Sequence, residues 1–360
     1  MRDGRKLVRS TREFATEFRA RSWWHFLSTA TLFAGLVAVA CVQLPWPLRL
    51  LASVFAALVH IRFFVLFHDH EHGSLLADSK LASVIFRSFG LLTLVPPSIW
   101  KHTHDHHHRN NARSYGVHSV GTYPVLTPEA FRAAKRSERI FYVISRHPLT
   151  IALGYFTVFL WGFCLLPLLT RPRHHLDAAL SILLHFGLIA VLAVFRPDIM
   201  LFALVLPTIL AAALGSYLFY AQHNCPGIKL RASDEWDYVH AALESSSFTK
   251  MNPLMHWFTG NIGYHHVHHL NARIPFYRLP EAMATLEDLR SPVVTSLHPR
   301  DVLRCLRLKL WDPRKERFVS FREARRGARA EQAARRAAEQ SARRPAVAGI
   351  GATADREPMA

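Results

Sequence analysis

The sequence predicts an all-α membrane protein in which transmembrane helical hairpins carry a cytosolic, histidine-rich cap. Three observations carry this expectation. Asp, Glu, Lys and Arg are absent from Trp23 to Leu48, Pro148 to Thr170, Ala178 to Phe195 and Ile199 to Ile228, runs near or above the roughly 18 to 20 residues that cross a bilayer core. Basic residues crowd both ends of the chain, and histidines crowd the polar stretches between the apolar runs.

Residues 1–22, "MRDGRKLVRSTREFATEFRARS", form a basic arm. The segment behind it is too long for a secretory signal and lacks a small-residue cleavage site, so it is expected to be retained. A helical hairpin follows over about 23–67. Its second half, Leu50 to Phe67, is interrupted only by His60 and Arg62, and Arg62 is expected to reach the interface by snorkelling. The next stretch, 68–147, is polar apart from "LASVIFRSFGLLTLVPPSIW". Arg87 and the Pro96-Pro97 break make that insert a helix lying in the interface or dipping into it.

Three apolar runs then fill 148–222, before a second histidine-rich stretch over 223–300. If both histidine-rich stretches face one compartment, one of these runs fails to cross, and the sequence does not say which. Residues 23–300 are thus expected to form one membrane domain. Residues 301–344 read as a basic helical tail with almost no apolar stripe, and 345–360 as disordered. "GIGATA" in that last segment lacks the strand and helix that a dinucleotide fingerprint needs.

The basic flanks place both termini in the cytoplasm. Much of the +18 net charge lies there, which points to anionic lipid headgroups and not to nucleic acid, unless the flanks serve topology alone. Four scattered cysteines, with no C-x-x-C pair, argue against disulfides and thiolate zinc sites.

Candidate chemistry lies in "HDHEH" (68–72), "HTHDHHH" (102–108) and "HHVHH" (265–269). Residues three or four apart share a helix face. That pairs His68 with His72 and groups His104, His107 and His108, with His265, His268 and His269 repeating the second pattern. A competing register pairs His102 with His106, and His266 lies three residues from His269. His70 and His106 point away from their neighbours' shared face. His223, in "YAQHNCP", is either a plain interface residue or a ninth member.

Crowded imidazoles repel when protonated and lose hydration when neutral, so a metal using their lone pairs explains them best. A structural zinc would take only four, so eight or more suggest two ions. Asp69, Glu71 and Asp105 either orient ligating rings by accepting their second N–H or ligate directly. Ligation needs neutral imidazole, so occupancy is expected to fall as pH drops toward and below about 6.5.

"HDHEHGS", "WKHTHDHHHRNN" and "GNIGYHHVHHLNARIPFY" resemble the three histidine boxes of integral membrane fatty acid desaturases, and the third stretch with "QHN" upstream looks most like the acyl-lipid delta-12/omega-6 branch. The resemblance covers roughly residues 24–290. It implies a non-haem di-iron centre on the cytosolic face that uses O2 and two electrons to put a cis double bond into a fatty acyl chain. By motif match, His68, His72, His104, His107, His108, His265, His268 and His269 become ligands, with His223 similar to a further one near the last helix. His70 and the additional His106 depart from the usual boxes. No HPGG stretch is present, so the electron donor is expected to be a separate ferredoxin-like or cytochrome b5-like protein.

The chemistry agrees. An acyl methylene has no acidic proton or leaving group, and zinc has no redox chemistry, which leaves a redox metal such as iron with O2. The substrate is expected to be a fatty acyl lipid or acyl thioester held in an apolar tunnel. Trp100, Tyr264 and Trp257 flank the boxes, as tunnel wall or as ordinary interfacial aromatics. Membrane hydroxylases and carotenoid ketolases share the metal class. A histidine-rich metal transporter is the alternative of another kind, and it would place ligands mid-helix along a path. The Arg/Ala-rich tail and compact chain suggest a bacterial inner membrane.

Overall fold

The computed structural model describes residues 4–113, 121–232 and 234–343; the expected disordered segment 345–360 lies outside them. A short basic helix, α1 (Gly4–Ser10), leads into α2 (Arg19–Cys41) and α3 (Trp46–Glu71). Then come α4 (Lys80–Leu92) and α5 (Pro97–Asn110), bent by 94° at the break between them. Ser79 caps α4 by accepting from Ala82 N–H at 3.2 Å, and Pro97 starts α5, where its missing N–H costs nothing. This sharp bend falls at the Pro96-Pro97 break.

Among the described residues four helices are long and apolar enough to cross a membrane, α2, α3, α7 (Leu176–Phe195) and α8 (Pro197–Ala221), or five if the bent pair α4 and α5 is one broken span. The remaining apolar run is broken after Pro148–Ala152, and its longer part, α6 (Tyr155–Thr170), spans about 24 Å at 1.5 Å per residue, short of a bilayer core of about 30 Å. Of the three apolar runs, this is the one whose helix is too short. Much of α6 is π-wound. At Gly154 the chain lies so close to α8 that a Cβ would meet Ser216 Oγ at 1.9 Å. Large side chains such as Leu183, Val194 and Phe195 stand exposed, the unpartnered apolar surface a bilayer covers.

Among the described residues the chain is mostly helical, with two small two-stranded sheets. Strands β1 (Ser247–Lys250) and β2 (Val293–Ser296) pair in parallel. Strands β3 (Leu310–Asp312) and β4 (Arg317–Val319) form an antiparallel hairpin inside the stretch expected to be a helical tail. Trp311 N–H donates to Leu126 O at 3.0 Å, tying this hairpin to the polar stretch before α6. Only after it does a long basic helix, Phe321–Arg343, begin.

Arg62 departs from its expected place at the interface. Helix α3 runs on to Glu71, which leaves Arg62 deep in the bundle and 1% exposed. There its Nε donates to Thr29 Oγ1 at 3.0 Å and NH1 to the Trp257 carbonyl, with the guanidinium 4.2 Å above the Trp257 ring. Neutral acceptors and an aromatic face replace water, so the charge has no need to snorkel.

Candidate metal centre

Four parts of the chain bring the histidines together. Helix α3 ends with His68 and His72 one turn apart, and Gly73 (φ 69°) then takes the left-handed conformation that turns the chain away. Helix α5 carries His104, His107 and His108, and the short helix α10 (His265–Leu270) carries His265, His268 and His269. His223 follows the end of α8.

All nine fall into two adjoining groups. His68, His72, His104, His108 and His268 form one, and His107, His223, His265 and His269 form the other; within each, the facing nitrogens lie within 4.8 Å of one another. The H-x-x-H-H spacing is split between them in a complementary way. At about 100° per residue, positions i and i+4 lie about 40° apart while i+3 falls about 60° to the other side. Accordingly His104 and His108 enter the first group and His107 the second, whereas His265 and His269 enter the second and His268 the first. The stack of His108 on His269, 4.4 Å between centroids, joins the two.

In the second group the Nε2 atoms form a closed ring: His107 to His223 at 3.1 Å, His223 to His265 at 2.9 Å, His265 to His269 at 3.1 Å and His269 to His107 at 3.2 Å. In the first, His108 Nε2 lies 3.2 Å from His104 and 3.1 Å from His268. His223 Nδ1–H donates to the Ser245 carbonyl at 2.9 Å, which leaves the Nε2 lone pair aimed into the ring. His68 Nδ1 lies 3.0 Å from Asp69 Oδ1 and is fixed likewise. Lone pairs converging at about 3 Å repel unless a cation sits among them, and nitrogens about 2.0–2.1 Å from a common ion would stand about 3 Å apart. The residues present therefore fit metal ions, with an all-imidazole donor set that suits iron, copper or zinc.

Burial favours the neutral form at His223, His265, His268 and His269. It lowers His223 to about 4. His265, His268 and His269 are pushed well below the usual histidine value by burial first and by neighbouring imidazoles second.

Of the three carboxylates, only Asp69 touches the cluster. Its Oδ2 also accepts from Phe276 N–H at 2.7 Å. Asp105 instead pairs with Lys101 at 3.0 Å across the outer face of α5, and Glu71 lines the same outer groove, with no hydrogen bond to a clustered histidine. Each follows or precedes a clustered histidine by one residue, which on a helix turns it about 100° away.

The remaining histidines lie outside both groups. His102 is exposed and His106 half-buried, so that register does not form a site. His70 is held between Leu75 O (3.0 Å) and Ser83 Oγ (3.1 Å), and His266 lies 3.1 Å from Leu289 O. Trp100 stacks on His104 at 4.5 Å, while Tyr264 packs on Phe248 and Trp257 on Arg62. No motif or spacing singles out Ser245, which orients His223, or Tyr238, whose O–H donates to the His269 carbonyl at 2.8 Å.

An apolar cavity lies one turn below the cluster. On α8 it is lined by Thr208, Ala211, Ala212, Gly215, Leu218 and Gln222, a single helical face that ends beside His223. On α3 it is lined by His60, Ile61, Phe64 and Val65, with His68 on the next turn. Tyr155 and Phe159 of α6 close another side. Trp100, Tyr264 and Trp257 are not among its lining residues.

Comparison with known proteins shows the family. The chain is 31% identical to a fatty acid desaturase of Bacillus subtilis over 88% of this chain and 91% of that protein. It is 23% identical to the sn-1 oleoyl-lipid 12-desaturase of a Synechocystis strain, over 76% of this chain and 78% of that one. The chloroplastic omega-6 fatty acid desaturase of Brassica napus is 26% identical over 74% of this chain and 60% of its own length. The family profile described as fatty acid desaturase matches residues 44–300, a span that holds both histidine groups and the cavity beneath them. On that match, the chain belongs to the fatty acid desaturase family.

Proposed function

We propose that this oxidoreductase introduces a cis double bond into a long-chain fatty acyl group, in the delta-12/omega-6 manner and on an acyl lipid, at two irons held by the nine clustered histidines. The observation that carries this reading is the pairing of two adjoining imidazole groups with an apolar cavity leading up to them. Bound iron would supply the activation of O2 that no side chain can provide. The five-histidine and four-histidine groups would each hold one ion.

The chain's own residues bind and position. Thr208 to Gln222 on α8 marks a cavity face about 21 Å long, and the small side chains of Ala211, Ala212 and Gly215 lie along it, where an extended acyl chain would pass. A water-poor wall of Phe64, Phe159 and Phe219 keeps the reacting methylenes from solvent. Asp69 and Ser245 fix ring orientation at His68 and His223. The electrons come from a separate ferredoxin-like or cytochrome b5-like donor. The Arg/Ala-rich tail favours a bacterial inner membrane, and the basic flanks favour cytoplasmic termini with the metal site on the same side.

Expression in a host of known lipid composition, with double-bond mapping of its fatty acids, tests the reading. New cis-unsaturated chains are expected, and two irons per chain. A product dominated by hydroxylated chains would replace it with a hydroxylase.

The cavity gives a sharper expectation. A Cβ at Gly215 meets only Phe159, at 4.0 Å, so Gly215→Leu can be accommodated while its side chain fills the cavity. An overpacking cost of 1–3 kcal/mol corresponds to a fall of about 5- to 150-fold in kcat/KM for the longest acyl chains. Shorter chains should be spared. Equal losses across chain lengths would remove the cavity from the substrate path.

Burial also sets the acid limit. His223 stays neutral down to about 4 in the folded chain, whereas an unfolded chain titrates near 6.5. Between those values the unfolded state binds more protons, so stability is full above about 6.5 and declines as pH falls through the window. Bound iron should therefore be half lost between about pH 4 and 6, lower than the exposed-histidine expectation. Half-loss at 6.5 or above would show that the rings are not shielded.

A further inference from the structure

We infer that an acidic one-electron carrier protein docks in an arginine-lined groove between α1 and helix α9 (Tyr238–Glu244), and passes its electrons across the thin wall behind it to the four-histidine group. The inference rests on the function proposed above. Forming one double bond from CH2–CH2 with O2 consumes two electrons and two protons and yields two waters. The electrons must come one at a time from such a carrier, while solvent supplies the protons.

The wall is thin on three counts. Tyr238 lines the groove, and its O–H donates to the carbonyl of His269 at 2.8 Å. At the other end of the same segment, the Ser245 carbonyl accepts from His223 Nδ1 at 2.9 Å. Trp236, just before α9, donates its indole N–H at 2.8 Å to the carbonyl of Asn111, three residues beyond His108. One short segment thus touches the backbone or ring of every element that builds the four-histidine group.

The groove has the charge for the partner. Its volume is about 550 Å³, and Arg5, Arg9 and Arg12 line it, all exposed. Among the described residues that line it the one carboxylate, Asp237, caps α9, accepting from Val239 N–H and His240 N–H at 3.0 Å each. Asp234 and Glu235 lie on the preceding loop and not among the lining residues. Arginines facing an acidic surface speed encounter and set orientation, and both effects weaken with salt.

The test is a binding titration of a plant-type [2Fe–2S] ferredoxin, an acidic carrier, against the iron-loaded full chain in neutral phosphatidylcholine nanodiscs. The Arg5→Gln, Arg9→Gln, Arg12→Gln triple variant should raise the Kd at least about tenfold at low salt and lose most of its salt dependence. The matching triple lysine variant, which keeps the charge, should bind within about threefold of the parent. Turnover driven by dithionite and methyl viologen, which needs no docked protein, should be unchanged. An unaltered ferredoxin Kd in the glutamine variant, or no ferredoxin binding by the parent, overturns the proposal. So does a loss confined to binding of phosphatidylglycerol vesicles, which would make the groove a lipid contact. If the parent binds ferredoxin but forms no double bonds with either reductant, the function proposed above fails while the docking surface stands.

Discussion

Replacing either His107 or His268 with alanine should lower desaturation by more than about 100-fold and cut bound iron from two to about one per chain, with the protein still inserted in the membrane. Loss of a residue that merely orients a ligand costs 10- to 100-fold, and these two rings belong to the nitrogen sets themselves. They also sample both groups. His107 closes the four-nitrogen ring through His223 and His269, while His268 is the only residue of α10 in the five-histidine group. Each variant should therefore weaken one site more than the other, leaving about one iron per chain where the parent holds two. The matching control is His102→Ala. His102 sits in the same sequence box but is exposed and joins neither group, so its replacement should leave iron content and activity within about twofold. Two irons per chain retained in both the His107 and His268 variants, or an equal loss in His102→Ala, would break the assignment.

The contrast between His102 and His107 shows where sequence patterning informs and where it stops. Spacing within a box reports which rings share a helical face, because that geometry is local. Spacing therefore groups His104, His107 and His108 on one face and His102 with His106 on another, and burial shows which face the cluster uses. The crossing of the boxes is not legible in this way. That His107 joins His265 and His269 while His268 joins His104 and His108 depends on how α5 and α10 face each other. Arg62 illustrates the same limit. Its position in an apolar run suggests a charge reaching for water, but the partners that hold it, Thr29 and the Trp257 carbonyl, come from 33 and 195 residues away. The hairpin of β3 and β4 leaves no alternating pattern, because its strands are only three residues each and sit among basic residues. The long apolar helices are legible because each carries its own signal.

Asp69→Ala is the second large effect, and its cause is different because Asp69 does not belong to either nitrogen set. Its carboxylate holds two donors at once, His68 Nδ1 at 3.0 Å through Oδ1 and Phe276 N–H at 2.7 Å through Oδ2. Alanine frees the His68 ring, and an unfixed ring loses the preference for presenting Nε2 to the cluster, which should weaken iron binding in the five-histidine group by 10- to 100-fold. It also strands the buried Phe276 N–H, at a cost of about 1–3 kcal/mol in stability. Asparagine separates the two consequences. Its single carbonyl oxygen can serve one donor, while its NH2 must then face the other, so Asp69→Asn should keep more stability than alanine yet still lose iron affinity. Iron titration and thermal unfolding measured on both variants distinguish the roles. If both keep parental iron affinity while losing stability, Asp69 is a bracket for the Phe276 loop alone, and the orientation of His68 must come from its packing against His72, His104 and His268.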